Sequence, residues 1–489
     1  ALPGGGVVGY DPWLHTGAEI ARLEAALSPR QIALRPVENL VDAVWTDRPD
    51  PPMAPARAWP ERHAGLSATA KLALVAGDLA EAEEDAALLT QPDSICWLLN
   101  LRGGDVVHTP LLHAMGLVHR SGALDLFAEA EKLAGVTLPE GVEVHPPEAL
   151  AGRLAAARGR VRVDRSSAPQ AALDALGRGA AEVTSGADPC LLRKARKHPA
   201  EIAATTEAHL RDGAAMARFL RWFDETAPQG GLTEIDAVRA LEGFRAETGA
   251  LREISFDTIA GAGPHGAIVH YRVTEATNAP LLPGQLFLID SGAQYEDGTT
   301  DITRTLPVGE VGAEEKCAFT QVLRGMIAIH RARFPKGVAG AHLDALARAP
   351  LWAAGRDFDH GTGHGVGVYL GVHEGPQRLS RVSTVPLEPG MILSNEPGYY
   401  REGAFGIRIE NLIVVAEAPP LPGGDAGRAM LGFETLTWAP IDRRLILAEA
   451  LSGEERAWLN AYHAGVAERI GPRVDAATRA WLRQATAPV

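Results

Sequence analysis

Cysteine is nearly absent: Cys96, Cys190 and Cys317 are the only three in 489 residues, far apart and without a CxxC pair. That excludes a zinc ribbon and a disulfide-framed secreted scaffold, and it makes a reducing cytoplasm the expected setting. Long apolar runs are missing as well. None approaches the roughly 20 residues that span a bilayer, and no signal-peptide pattern is present, so no membrane partner is expected. Basic charge is in deficit: 47 Lys and Arg stand against 61 Asp and Glu, a formal net charge of −14. Phosphate contacts need clustered Lys and Arg, so nucleic acid is excluded as a partner. Two enzyme signatures are lacking. His373-Glu374 has no second histidine to make HExxH, and no GxSxG elbow occurs, which removes zincins and the usual serine hydrolases. The one GxGxxG match, Gly261 to Gly266, contains Pro264 and precedes a strand-like run, whereas a dinucleotide fingerprint needs a helix there.

What is present is ample apolar residue, 46% of the chain, enough for sizeable cores. At roughly 150 residues per domain the length predicts two or three domains. Residues 1–45 read as strand, helix (18–27) and strand. Residues 46–64 hold Pro49, Pro51, Pro52, Pro55 and Pro60, too dense for a helix or central strand, and form a linker. Residues 65–190 alternate a helix at 68–84 with strand-like runs at 86–89, 96–99 and 124–127, the pattern of a small α/β domain. Its most pointed polar feature, Asn100 to Asp105 with Arg102, reads as a loop with satisfied charges. Residues 191–489 turn to long amphipathic helices at 200–225, 233–248 and 313–334. Strand-like runs at 267–271, 285–290, 299–305, 391–396 and 405–415 punctuate them, an α+β arrangement.

The chemistry lies in that last region. Asp290 and Asp301 sit on two strand-like runs joined by Glu296-Asp297-Gly298, so a hairpin folds them together. Such a pair repels unless a proton or cation separates it. Alone it could be a solvated surface hairpin, but Glu396 and Glu410 follow on further strand-like runs, and His364 lies in a glycine-rich stretch. Burying four carboxylates makes sense only with cations. Four oxygen donors and one imidazole suit two divalent ions, Mn2+ or similar, and two such ions can hold a hydroxide between them. Amide hydrolysis is the implied reaction, with His270 and His373 for proton handling and carbonyl binding. Arg408 lies two residues before Glu410 on a strand and so shares its face, and of Tyr399 and Tyr400 only one can line the site.

Several stretches resemble one family closely and in order: His270-Tyr, the run Ile289 to Arg304, His360-Gly-Thr-Gly-His364-Gly-Val-Gly, Val372-His373-Glu-Gly-Pro, Glu396-Pro-Gly-Tyr-Tyr400 and Gly406-Ile-Arg408-Ile-Glu410-Asn. They resemble the Xaa-Pro aminopeptidases (aminopeptidase P) of the pita-bread metallopeptidases, family M24B. Upstream, Glu38 to Pro49 and Trp97 to Val106 resemble the long, three-domain form. The resemblance implies a C-terminal pita-bread (creatinase/aminopeptidase) catalytic domain behind creatinase-N-like α/β domains. Asp290 would bind the first metal, Asp301 and Glu410 would bridge, and His364 and Glu396 would complete the second. His270 and His373 would be catalytic, and His360, Tyr400 and Arg408 would shape the proline pocket. Mn2+ is the expected metal, with Zn2+ or Co2+ as alternatives. The substrates would be peptides with proline second, and the assembly a homodimer.

One departure is that the long form begins with a full α/β domain, of which residues 1–45 supply only the closing part. The chain also opens at Ala1 rather than methionine, so a trimmed or processed product is expected. Two rival readings remain at this point: a prolidase acting on Xaa-Pro dipeptides, and a metal-free binding module on the same fold. The module reading is disfavoured because all five ligands are in place.

Overall fold

The computed structural model describes residues 2–425 and 427–489, and the chain divides between Lys194 and Ala195 into two compact units.

In the first unit a parallel strand pair, Val7–Tyr10 and Ala33–Pro36, is joined by helix Gly17–Leu27. Thr16 and Glu19 close a capping box at the start of that helix. A mixed six-stranded sheet follows, ordered Ala180–Ser185, Arg158–Val163, Ala86–Leu89, Met115–His119, Leu124–Phe127 and Val142–His145. Leu154, Val161, Val163, Ala172 and Leu176 pack on it as its core. The expected strand at 96–99 is instead the end of helix Pro92–Leu98, which has Pro at its first turn and is buried from Ser94 onward. A short, wholly buried apolar run has no periodicity that separates helix from strand, and Pro92 decides it. Arg102 is not a loop charge either. It is buried, donates to the carbonyls of Cys96 and Leu101, and stacks on Trp59 with its guanidinium 4.1 Å from the ring centroid.

In the second unit the helix Pro199–Thr226 and the helices Glu234–Ala246 and Ala313–His330 enclose antiparallel sheets. One sheet of six strands runs Phe334–Pro335, Met430–Thr435, Asn411–Glu417, Ile392–Asn395, Gly363–Gly365 and Glu374–Leu379. A three-stranded sheet places Leu286–Ser291 between Ile259–Ala262 and Ile302–Pro307. Leu286–Ser291 is buried at every position, which is why its sequence reads as a continuous apolar run rather than an alternation. Two expected elements differ. The segment 267–271 is not a strand: a 3-10 turn, Gly263–Ala267, leads into irregular backbone. The expected strand 405–415 breaks into Phe405–Arg408 and Asn411–Glu417, which belong to different sheets. No helix among the described residues is long and apolar enough to cross a membrane.

Candidate active site

The hairpin predicted around Glu296-Asp297 is present, with a change of sheet partway. Leu286–Ser291 pairs with Ile302–Pro307, and beyond them Ala293–Tyr295 pairs with Gly298–Thr299. The switch occurs at Gly292, where a Cβ would lie 2.0 Å from both Ser255 Oγ and the Thr300 carbonyl. Only glycine lets the chain pass there. Arg211 fixes the tip with two 2.9 Å bonds to Asp297. The register sets Asp290 opposite Thr303, and Asp301 lies just before the returning strand.

Three more elements converge on this pair. His364 is on the strand Gly363–Gly365, and Glu396 follows Ile392–Asn395. Glu410 occupies the break between Phe405–Arg408 and Asn411–Glu417. Gly363 permits the close approach, since a Cβ there would meet the Ser394 carbonyl at 1.9 Å. One ligand atom each from Asp301, His364 and Glu410 lie within 4.8 Å of one another. His364 Nε2 is also 3.3 Å from Glu396 Oε1 and 3.5 Å from Asp301 Oδ2. The tautomer is set from the other side of the ring, where Nδ1–H donates to the Gly365 carbonyl at 2.9 Å. That leaves the Nε2 lone pair facing the carboxylates.

Supporting bonds aim the acids. Ser394 Oγ accepts from the His364 amide and donates to Glu396 Oε1, both at 2.9 Å. Thr303 Oγ1 donates to Glu410 Oε2 at 2.8 Å. Arg408 donates to Asp290 Oδ2 at 2.6 Å and to the Tyr400 hydroxyl at 2.7 Å. The Tyr400 hydroxyl in turn lies 2.8 Å from His360 Nε2, and His360 Nδ1–H donates to the Gly361 carbonyl. With Nδ1 protonated, Nε2 accepts, so the hydrogens run in one direction from Arg408 through Tyr400 to His360. Tyr399 points away, under Arg356 and beside Phe405.

The electrostatics are those of a site short of positive charge. Burial, then repulsion from Glu410, Asp290 and Glu396, pushes Asp301 well above the usual carboxylate range. Glu410 is driven the same way by burial and by Glu396 and Asp290. Burial lifts Glu396 to about 8. Burial also holds His364 neutral, down to about 3, and His360 down to about 4, with Arg408 adding to the latter. His373 is lowered by burial too, and its ring meets that of His364 edge-on at 4.1 Å. Asp290 Oδ1 is buried without a hydrogen-bond partner. An orphaned carboxylate oxygen beside three acids that burial forces toward protonation is what a divalent cation relieves. The donor set, four carboxylates and a neutral imidazole, fits two such ions.

All ten predicted residues meet here. His270, Asp290, Asp301, His360, His364, His373, Glu396, Arg408 and Glu410 line one cavity of about 660 Å³, and Tyr400 joins through His360. Tyr271, Arg272, Arg378 and Ser380, not anticipated, line it as well. Two anchors were also missed. Thr303, on the face that Asp301 sets by alternation, was legible; Arg304 was not. Arg304 is fully buried and spends its donors on the carbonyls of Thr303, Glu410, Ala439 and Pro440 and on Asn411 Oδ1. It thereby fixes the backbone at Glu410.

Comparison with known proteins agrees with this geometry. The profile of metallopeptidase family M24 matches residues 203–417, a creatinase/prolidase N-terminal domain matches 47–201, and the C-terminal region of peptidase M24 matches 429–489. Aminopeptidase P2 of Arabidopsis thaliana is 38% identical over 529 aligned positions, covering 100% of this chain and 74% of that protein. An X-prolyl aminopeptidase structure from Caenorhabditis elegans, described as a cytosolic enzyme with a di-nuclear active site, superposes with a TM-score of 0.92. It is 32% identical and covers 100% of this chain and 82% of that one. An Xaa-Pro dipeptidase from Bacillus anthracis gives 0.59 at 25% identity, over 78% of this chain and 100% of that one. The chain belongs to metallopeptidase family M24, in the group of the Xaa-Pro aminopeptidases.

Proposed function

We infer that this protein is a dinuclear-metal aminopeptidase that removes the N-terminal residue from peptides whose second residue is proline. The observation that carries the reading is the charge imbalance of the site: three buried carboxylates, a fourth (Glu396) partly buried, and a neutral imidazole, of which only Asp290 is ion-paired to a guanidinium, that of Arg408, among the described residues. Asp290, Asp301, His364, Glu396 and Glu410 would hold the two ions, with Asp301 and Glu410 shared between them as the family resemblance implies. Bound there, divalent ions supply Lewis acidity and lower the pKa of water toward roughly 7. His270 and His373, both open to the cavity, bind the scissile carbonyl and handle protons. His360, Tyr400 and Arg408 form a rigid wall that receives the proline ring and holds Asp290 in place. An Xaa-Pro bond is a tertiary amide with restricted geometry, so a shaped pocket is needed to orient it.

The oxygen-rich donor set favours Mn2+ over thiolate-preferring metals. The cytoplasm is the proposed location, by analogy with the cytosolic relative. A homodimer, and domain limits at 1–45, 46–64, 65–190 and 191–489, are proposed on the family resemblance. A prolidase reading is disfavoured by the end-to-end likeness to Xaa-Pro aminopeptidases, which covers 99% to 100% of this chain. The test is to strip metal, restore Mn2+ stepwise, and compare an Xaa-Pro-Pro tripeptide with an Xaa-Pro dipeptide. Tripeptide cleavage that rises with occupancy and saturates near two metals per chain is expected. Preference for the dipeptide, or two bound metals without cleavage, overturns the assignment.

A further inference from the structure

The segment carrying His270 has almost no regular structure of its own. From Gly263 to Asn278 it holds only the 3-10 turn Gly263–Ala267. One side chain ties both of its ends. Glu234, the first residue of helix Glu234–Ala246, is fully buried, and each of its carboxylate oxygens receives two hydrogen bonds. Oε1 accepts from the Ala262 amide at 2.7 Å and from His265 Nδ1 at 2.8 Å. Oε2 accepts from the Ala279 amide at 3.0 Å and from the Tyr271 hydroxyl at 3.1 Å. The Glu234 amide adds a bond to the Ala279 carbonyl at 3.0 Å.

The placement of these donors is informative. Ala262 and Ala279 are the residues at which the irregular segment leaves and rejoins the body of the unit, and His265 and Tyr271 flank His270 in sequence. The rings of His265 and Tyr271 stack with centroids 4.4 Å apart, so Tyr271 is held by its face and by its hydroxyl together. Tyr271 is 7% exposed, whereas its neighbour His270 is exposed on the cavity. One peptide bond therefore separates an anchored side chain from a working one. The phenolic proton has two acceptors in reach, Glu234 Oε2 and the Thr277 carbonyl, each at 3.1 Å. It can serve one at a time, and a carboxylate is the stronger acceptor.

We propose that Glu234 is a positioning residue for catalysis, which acts through Tyr271 to set His270 against the substrate. The inference rests on the reading of His270 as a catalytic group. Glu234 makes no contact with substrate or metal ligands. Its contribution is orientation, and a misplacement of about 1 Å at a reacting group can cost about 10²-fold in rate.

The test is a double-mutant cycle on the metal-loaded full chain with an Xaa-Pro-Pro tripeptide. Tyr271→Phe deletes one hydroxyl, and Glu234→Gln keeps the shape of the hub while turning an amide donor toward its donors. Expected losses in kcat are about 10-fold and about 10²-fold, with KM within about twofold and two metals per chain retained. In a His270→Ala background each should cost less than about twofold more, because the group they orient is gone. Losses that simply multiply, or that fall on KM or metal content, overturn the inference. So does unchanged kcat in Tyr271→Phe, which decides the matter if Glu234→Gln fails to fold. Full activity in His270→Ala is a separate failure: it removes the catalytic role of His270, and this inference with it.

Discussion

Among the described residues two clusters bring a histidine and at least two carboxylates within ligand distance of one another, and they differ in how their charges are balanced. In the first unit Asp125, Glu143 and His145 lie within 4.8 Å of one another, with His119 beside them; in the second, Asp301, His364 and Glu410 do the same. At Asp125 one carboxylate meets two imidazoles, His145 Nε2 at 2.8 Å and His119 Nε2 at 3.0 Å. Arg153 faces the remaining nitrogen of His145 at 3.4 Å, where a metal-binding imidazole would carry its proton. Burial pushes Asp125 up, but the two histidines more than offset this and hold it below its usual range. At Asp301 the proportion is reversed, and burial drives three acids upward. Proximity alone does not mark a metal site. An uncompensated excess of one charge does.

Breaking the second cluster gives the largest effect. Asp301→Ala or Glu410→Ala should lower metal content and reduce peptidase activity to background, because each is proposed to supply an oxygen to both metal positions. Metal analysis alongside the rate checks this, and activity retained at two metals per chain refutes the bridging role. Histidines sharpen the same contrast. His364→Ala should lose metal, whereas His270→Ala should keep two metals while kcat falls by 10²–10⁴-fold, the usual worth of a proton-transferring group. Loss of metal from His270→Ala would make it a ligand.

Chelation comes next in size. A ligand present at about 100 times its Kd stabilises the folded state by about 2.7 kcal/mol, so metal removal should lower Tm by at least the equivalent. The metal-free protein should also show an unusual pH trend. Asp301, Glu396 and Glu410 have folded pKa values raised above their unfolded ones. Their contribution to stability is therefore complete at pH below about 4 and lost as pH rises, through about 8 for Glu396. Thermal melts of stripped protein should show this cluster favouring pH 5 over pH 8, and Mn2+ should reduce or invert the difference.

How far the sequence disclosed all this differs from element to element. The four carboxylates were legible because each is a lone acid in a strand-like run beside small or apolar neighbours, where solvation is implausible, and His364 because it lies in a glycine-rich stretch. The hairpin was legible from Glu296-Asp297-Gly298. The segment 267–271 was misleading, since Ile268-Val269 has strand propensity but no partner strand, and the amides of Ile268 and Tyr271 are spent in turns on the carbonyls of His265 and Ile268. Glu234 itself was hidden. Thr233 and Asp236 mark that stretch as a helix N-terminus and form a capping box, and nothing local says that the next carboxylate reaches 28 to 45 residues along the chain. Arg304 was hidden for the same reason. Its partners lie as far as 158 residues away, and tertiary hydrogen bonding leaves no periodicity in sequence.

The smallest effect belongs to the compensated cluster, and it has the opposite sign in pH. Asn at position 125 keeps one acceptor oxygen but loses the charge that both histidines face, so Asp125→Asn should cost about 1–2 kcal/mol of stability. Metal content and peptidase rate should stay at wild-type values. Because the folded pKa of Asp125 is lowered, its contribution is present above its unfolded value near 4 and is lost as pH falls through the folded one. Wild type should therefore lose stability in acid more steeply than Asp125→Asn below about pH 4, where melts of the two would converge. The metal-stripped second cluster gains earlier in the descent, from about pH 8 down to about pH 4, and is complete below it. A third metal per chain that disappears in Asp125→Asn would break the contrast, because it would show that two histidines and an arginine do not suffice to satisfy the first cluster.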